Sequence, residues 1–128
     1  MDIKEKIEYW VTIEELDIPV MEHLFDSGDY MYSLFIGHLI IEKILKAHYV
    51  KNNLETPPKI HDLVKLANSS GMVFEDSRLK YLLSLNAFNI EARYPEEKLR
   101  IYKLCSKEFC KDNIVKIKEL FTWLKSLI

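Results

Sequence analysis

Residues 30–52 read YMYSLFIGHLIIEKILKAHYVKN. Laid on a helix at about 100° per residue, the apolar positions from Tyr30 and Met31 through Ile40, Ile44 and Val50 cover nearly every face. A helix that is apolar all round is buried all round, so this segment is predicted to be the central member of a helical bundle. The exceptions are His38, Glu42 and Lys46, which fall at i, i+4 and i+8 and form one stripe drifting by about 40° per step. A carboxylate on such a helix needs a cation, because a buried unpaired charge is costly. Lys46 is one candidate. Arg93 is the other, since its planar fork suits a carboxylate or a phosphate.

Outward from this helix the pattern stays helical. Residues 3–16 carry Ile3, Ile7, Trp10 and Val11 at helical spacing, and Pro19 is expected to kink that first helix or split it at Asp17. Ser27-Gly28-Asp29 punctuates the chain before the central helix. After Asn52-Asn53 and Thr56-Pro57-Pro58, a helix is predicted from Ile60, with Asp62 favourably placed near its N-terminus, and Asn68-Ser69-Ser70-Gly71 stops it. Further helices are predicted over 76–91, 97–103 and 106–127. Tyr94-Pro95 breaks the first of these, since the residue before a proline avoids helical geometry. The expectation is an all-α, up-and-down bundle of about five helices, one domain over 1–128.

Composition agrees. The 128 residues are 48% apolar and 30% charged with three glycines and four prolines, which favours helices over a turn-rich β architecture. No apolar run approaches the ~20 residues needed to span a bilayer. The start, from Met1 to Lys6, lacks the basic and apolar regions of a secretory leader, so a cytoplasmic setting with no membrane partner is expected. Cys105 and Cys110, five apart on a helix, point about 140° away from each other and are expected as reduced packing residues. The net charge of −2 hides an asymmetry: residues 1–30 carry −7 and residues 98–128 carry +5. The simplest expectation is an acidic first helix lying beside a basic last one; the sharper alternative is a basic surface for RNA or phosphate. In sequence, no aromatic set interleaves those basic residues.

Chemistry-bearing residues fall into three islands: His38, Glu42 and Lys46 in the central helix; His61 and Asp62 after Pro57-Pro58; Arg93 and Tyr94 before Pro95. His61 and Asp62 open a helix, and a helix N-terminus is a natural anion site. Tyr94 beside Arg93 offers an aromatic face for a base. Glycine-rich phosphate loops, HExxH, G-x-S-x-G and paired metal-binding aspartates are all absent from the sequence. His38 and Glu42 make only the looser HxxxE, so no metal or other cofactor is expected.

The order and spacing of these islands resemble the HEPN family over roughly residues 10–100: Ser27-Gly28-Asp29-Tyr30, Glu42 with Lys46-Ala47, Pro58-x-x-His61-Asp62-Leu63, and Ala92-Arg93-Tyr94-Pro95. The resemblance implies a helical bundle that dimerises and works in nucleotide or RNA biology, often beside a minimal nucleotidyltransferase in toxin–antitoxin-type modules. His38, Glu42, Lys46, His61, Asp62, Arg93 and Tyr94 then become the expected nucleotide- or RNA-binding set, with no catalytic residue assigned. The ribonuclease branch of the family uses Arg-x(4–6)-His. Here His23, His38, His48 and His61 all precede the first arginine, Arg78, so that motif is absent. A ribonuclease would need Arg93 and a histidine brought together by folding. A purely structural, dimerising bundle is the remaining alternative.

Overall fold

The computed structural model describes residues 2–128, leaving Met1 outside. It contains six α-helices: α1 (Ile3–Asp26), α2 (Tyr30–Asn53), α3 (Leu63–Ser69), α4 (Asp76–Leu85), α5 (Pro95–Leu104) and α6 (Lys107–Ser126). Two 3₁₀ turns, Asn86–Phe88 and Ile90–Ala92, join α4 to α5.

α2 is the axis. Leu34, Ile40, Ile41, Ile44, Leu45 and Ala47 are fully buried, and α1, α3 and α6 pack around them. At about 1.5–3 kcal/mol for each large apolar side chain removed from water, this helix alone supplies a major share of the driving force for folding. Gly37 allows the closest approach, because a β-carbon there would lie 2.5 Å from Ile117 Cδ1 and 3.2 Å from Met21 Sδ. α1 and α6 thus meet α2 at one point.

α1 runs unbroken through Pro19, so of the two expectations, one long helix carrying the proline or a split at Asp17, the split does not occur. Pro19 and Glu15 are both exposed, and the carbonyl that loses its donor there faces the solvent side rather than the core. α1 begins at Asp2, whose carboxylate accepts from Glu5 N at 2.8 Å. It ends in a Schellman turn: Gly28 has φ +83°, Asp29 N donates to Leu24 O at 2.8 Å, and Gly28 N donates to Phe25 O at 3.0 Å.

Two other boundaries differ from expectation. α3 starts at Leu63 rather than Ile60, because Asp62 is its cap: its Oδ1 accepts from Val64 N and Lys65 N. The helix predicted over 76–91 stops at Leu85. The two tighter turns that follow bury both Phe88 and Ile90, and the Asn86 carbonyl, which takes the Asn89 N–H at 3.3 Å, also accepts from Arg93.

The first and last helices pair as their charges suggest, through Lys118–Glu22 at 3.1 Å and Lys125–Glu15 at 2.6 Å. His48, buried on α2, donates from Nε2 to Leu124 O in the last turn of α6 at 2.7 Å; burial holds its pKa below the ordinary value. Cys105 and Cys110 are buried free thiols, and burial pushes Cys105 up to about 11. Among the described residues no helix is long and apolar enough to cross a membrane.

Glu14 on α1 is wholly buried, and neither carboxyl oxygen has a hydrogen-bond partner. Lys43 Nζ stands 3.8 Å away and pairs more closely with Asp17 at 3.2 Å. Burial pushes the Glu14 pKa from 4.5 up to about 8, with Lys43 only partly opposing it and Asp17 adding to it. The folded chain therefore keeps a proton that the unfolded chain releases. Stability should fall as pH rises from about 4.5 to about 8 and then level off. Glu14→Gln should flatten that part of the Tm-against-pH curve; parallel curves for the two proteins would refute the assignment.

Candidate functional site

Glu42 is almost fully buried on α2, and both its oxygens are occupied. Oε1 accepts from His61 Nδ1 at 2.7 Å, and Oε2 accepts from Lys46 Nζ at 3.2 Å. The expected Glu42–Arg93 ion pair is absent. His61 reaches Glu42 first, because the Pro57-Pro58 loop turns back along α2 before α3 begins.

His38 supports that loop from below. It is wholly buried, and its Nε2 donates to the His61 main-chain carbonyl at 3.1 Å. That bond fixes the proton on Nε2 and leaves Nδ1 as a buried acceptor without a partner, 4.0 Å from Glu42 Oε1. Desolvation lowers its pKa and outweighs the attraction of Glu42, so His38 stays neutral. It positions the loop and has no open face for a ligand.

His61 is different. Its side chain is 60% exposed while the carboxylate behind it is 6% exposed. With Nδ1–H given to Glu42, the imidazole keeps Nε2 outward as a free acceptor or, once protonated, a donor. A buried carboxylate that fixes the ring and tautomer of an exposed histidine is an arrangement suited to proton transfer as well as to holding a phosphate.

Arg93 follows the second 3₁₀ turn. Its Nη2 donates to the Asn86 main-chain carbonyl at 3.0 Å, and its Nη1 approaches Glu97 Oε2 at 3.4 Å. Nε is buried without a partner. The Glu97 pair is long and both side chains are more than a third exposed, so it contributes little, about 0–1 kcal/mol, and an incoming anion can displace it.

His61, Asp62 and Arg93 line one open groove of about 500 Å³ with Leu83, Asn86 and Asn89. Asp62 is the acid in it, and its Oδ1 accepts from three donors, the third being Asn86 Nδ2 at 3.1 Å. Those bonds spread its charge and reduce its repulsion of an anion. The groove therefore brings together three of the seven residues expected from sequence. Glu42 stands directly behind His61. Lys46 and His38 lie further in, and Tyr94 is 75% exposed beside the groove, at the cap of α5.

Asn86 was not singled out by its sequence, yet it organises the groove. Its Oδ1 accepts from Leu63 N at 2.9 Å, its Nδ2 donates to Asp62, and its carbonyl accepts from Arg93. The available sign was two asparagines, Asn86 and Asn89, inside an otherwise apolar stretch, since asparagine competes with helical hydrogen bonding. Among the described residues, no group of three or more His, Cys, Asp or Glu side chains is placed to hold a metal ion.

A family model described as HEPN domain matches residues 7–127. No curated protein and no solved structure matches the chain.

Asn86→Ala should destabilise the fold by about 1–3 kcal/mol, because the buried Leu63 N–H loses its acceptor while Asp62 loses a donor. Urea denaturation measures this, and an unchanged midpoint would mean that water replaces both bonds.

Proposed function

The chain belongs to the HEPN family, and from that premise we propose that it is a nucleotide- or RNA-binding module whose phosphate site is the groove between His61 and Arg93. The observation that carries this reading is Arg93 itself. It is held in place by a main-chain carbonyl rather than neutralised by Glu42, so its charge remains available in an open groove. His61 adds a second polar contact in the same open groove, which does not close over a base. Recognition of phosphate rather than of base identity follows.

A finer reading makes the protein the accessory subunit of a minimal nucleotidyltransferase in a toxin–antitoxin-type module. The family resemblance supports it, together with the absence of Arg-x(4–6)-His. Tyr9, Leu16 and Val20 lie at i, i+7 and i+11 on α1 and are 55%, 64% and 45% exposed. We assign that stripe to a homodimer. The two reduced, buried cysteines accord with a cytoplasmic setting.

One observation favours a second reading, metal-independent RNA cleavage. The Glu42–His61 pair presents an oriented imidazole in the groove that holds Arg93. Such a pair can take the proton of a 2′-hydroxyl as its oxygen bonds to phosphorus and the bond to the 5′-oxygen breaks, and can return that proton to the leaving oxygen, while the arginine stabilises the charge on the phosphoryl oxygens. Chain order does not forbid it, because His61 lines the same groove as Arg93.

A thermal-shift titration with ATP and a short single-stranded RNA tests the first reading. Ligand at about 100 times its dissociation constant adds about 2.7 kcal/mol to the native state, and a folded Arg93→Ala should lose the shift. RNA incubated with the protein and a chelator should stay intact; cleavage that falls by about 10²–10⁴ in His61→Ala would establish the enzyme instead. Light scattering should give twice the monomer mass, and Leu16→Glu should halve it; a wild-type monomer would rule out the α1 stripe.

A further inference from the structure

A second groove, of about 650 Å³, lies between α4 and α6 and is lined by Arg78, Lys80, Tyr81, Lys116 and Glu119. It contributes to none of the contacts of the His61–Arg93 site. Its cations are arranged differently from the other basic residues of the last helix. Lys118 and Lys125 face α1 and are paired with Glu22 and Glu15. Among the described residues, Arg78, Lys80 and Lys116 have no carboxylate within 4.0 Å, Glu119 included. The cations turned toward α1 are thus paired, and the three that line this groove are not.

Aromatic rings hold two of these cations instead. The Arg78 guanidinium lies 3.7 Å from the centre of the Trp123 ring, and Trp123 is braced edge-on by Phe74 at 5.7 Å. Lys116 Nζ stands 5.7 Å over the Tyr81 ring, whose hydroxyl is tied to Asn113 Oδ1 at 3.0 Å. Stacking engages the face of a guanidinium and leaves its in-plane N–H donors free, so Arg78 is oriented without being consumed. The aromatic set that is missing among the basic residues in sequence is therefore present in space.

The two grooves meet across α4. Lys80 lines one, and Leu83, 63% exposed, lines the other. At i and i+3 they are neighbours on one helix face, about 5 Å apart along the axis. Three cations spread over an open groove that adjoins a phosphate site suit a chain of phosphates.

We infer that the α4–α6 groove carries the flanking phosphodiester backbone of a single-stranded RNA whose next phosphate sits at Arg93. The inference rests on the proposed RNA reading of the Arg93 groove. No base is read here: Trp123 is already covered by Arg78 and Phe74, so the contact is electrostatic and independent of sequence.

Fluorescence anisotropy with labelled oligouridine of about 12 nucleotides, a length within the span of single-strand-binding grooves, tests this beside ATP binding. Lys80→Ala with Lys116→Ala, both at exposed positions, should weaken RNA binding about 10-fold and reduce the salt slope by about 1.4, at about 0.7 per phosphate contact. ATP binding should be unchanged. Arg78→Gln should weaken RNA in the same direction. Lys118→Ala with Lys125→Ala removes the same charge from the paired side and should leave RNA affinity near wild type. Equal losses in the two double variants would reduce the effect to net charge and overturn the inference. RNA affinity unaffected by the α4–α6 variants but lost in Arg93→Ala would also overturn it while sparing the Arg93 reading. The reverse pattern would retain this groove and reject Arg93. A wild type that binds no RNA would reject both.

Discussion

A carboxylate on the innermost helix sets the terms for everything around it. Glu42 sits among side chains whose burial drives folding, where an ion left alone costs several kcal/mol. Lys46, one turn on, answers part of that cost. The rest is met from outside the helix by His61, so the segment carrying His61 has to lie against α2 in one register. His38 reinforces this by holding the same segment through its main chain. Satisfying one buried carboxylate thereby delivers an oriented histidine to the surface. The start of α3, the Asp62 cap and the Asn86 network then build on that fixed loop.

That dependence explains why structural and chemical roles separate along the polar stripe of α2. His38, Glu42 and Lys46 share a face, but only their outer neighbours meet solvent. The stripe acts as a foundation on which His61 rests. Arg93 is freed from Glu42 by the same arrangement: the histidine occupies the carboxylate, and a carbonyl exposed by the break after Leu85 anchors the arginine instead. An arginine paired only weakly, with Glu97, and an oriented imidazole in one groove follow from where two helices end.

The helical fold was legible because α2 is apolar on nearly all sides yet carries His38, Glu42, Lys43 and Lys46, which suits a buried central helix rather than a membrane span. Boundaries were less legible wherever a side chain competes with the helix. Asp62 moved the start of α3 by capping it, and the stretch after Leu85 tightened because Phe88 and Ile90 both gain by pointing inward. Pro19 left two outcomes open, and the single long helix prevails because the orphaned carbonyl lies on an exposed surface where water can serve it. Within the site, the residue types were visible but the pairing was not. Glu42 had two plausible cations in sequence, and the choice of His61 over Arg93 depends on a loop path that no periodicity encodes. Asn86 carries little sequence sign of its role because two of its contacts reach residues 62 and 63, remote along the chain, and the third, from Arg93, is made by its main-chain carbonyl.

The cysteines give the molecule a built-in clock. Cys105 and Cys110 sit 6% and 0% exposed, and burial keeps both thiols protonated. Oxidants and alkylating reagents attack the thiolate, so neither residue reacts while the junction of α5 and α6 stays closed. Their modification is limited by how often that end of the bundle opens. The same chemistry makes oxidative damage selective: molecules that have already loosened are marked, and intact ones are passed over.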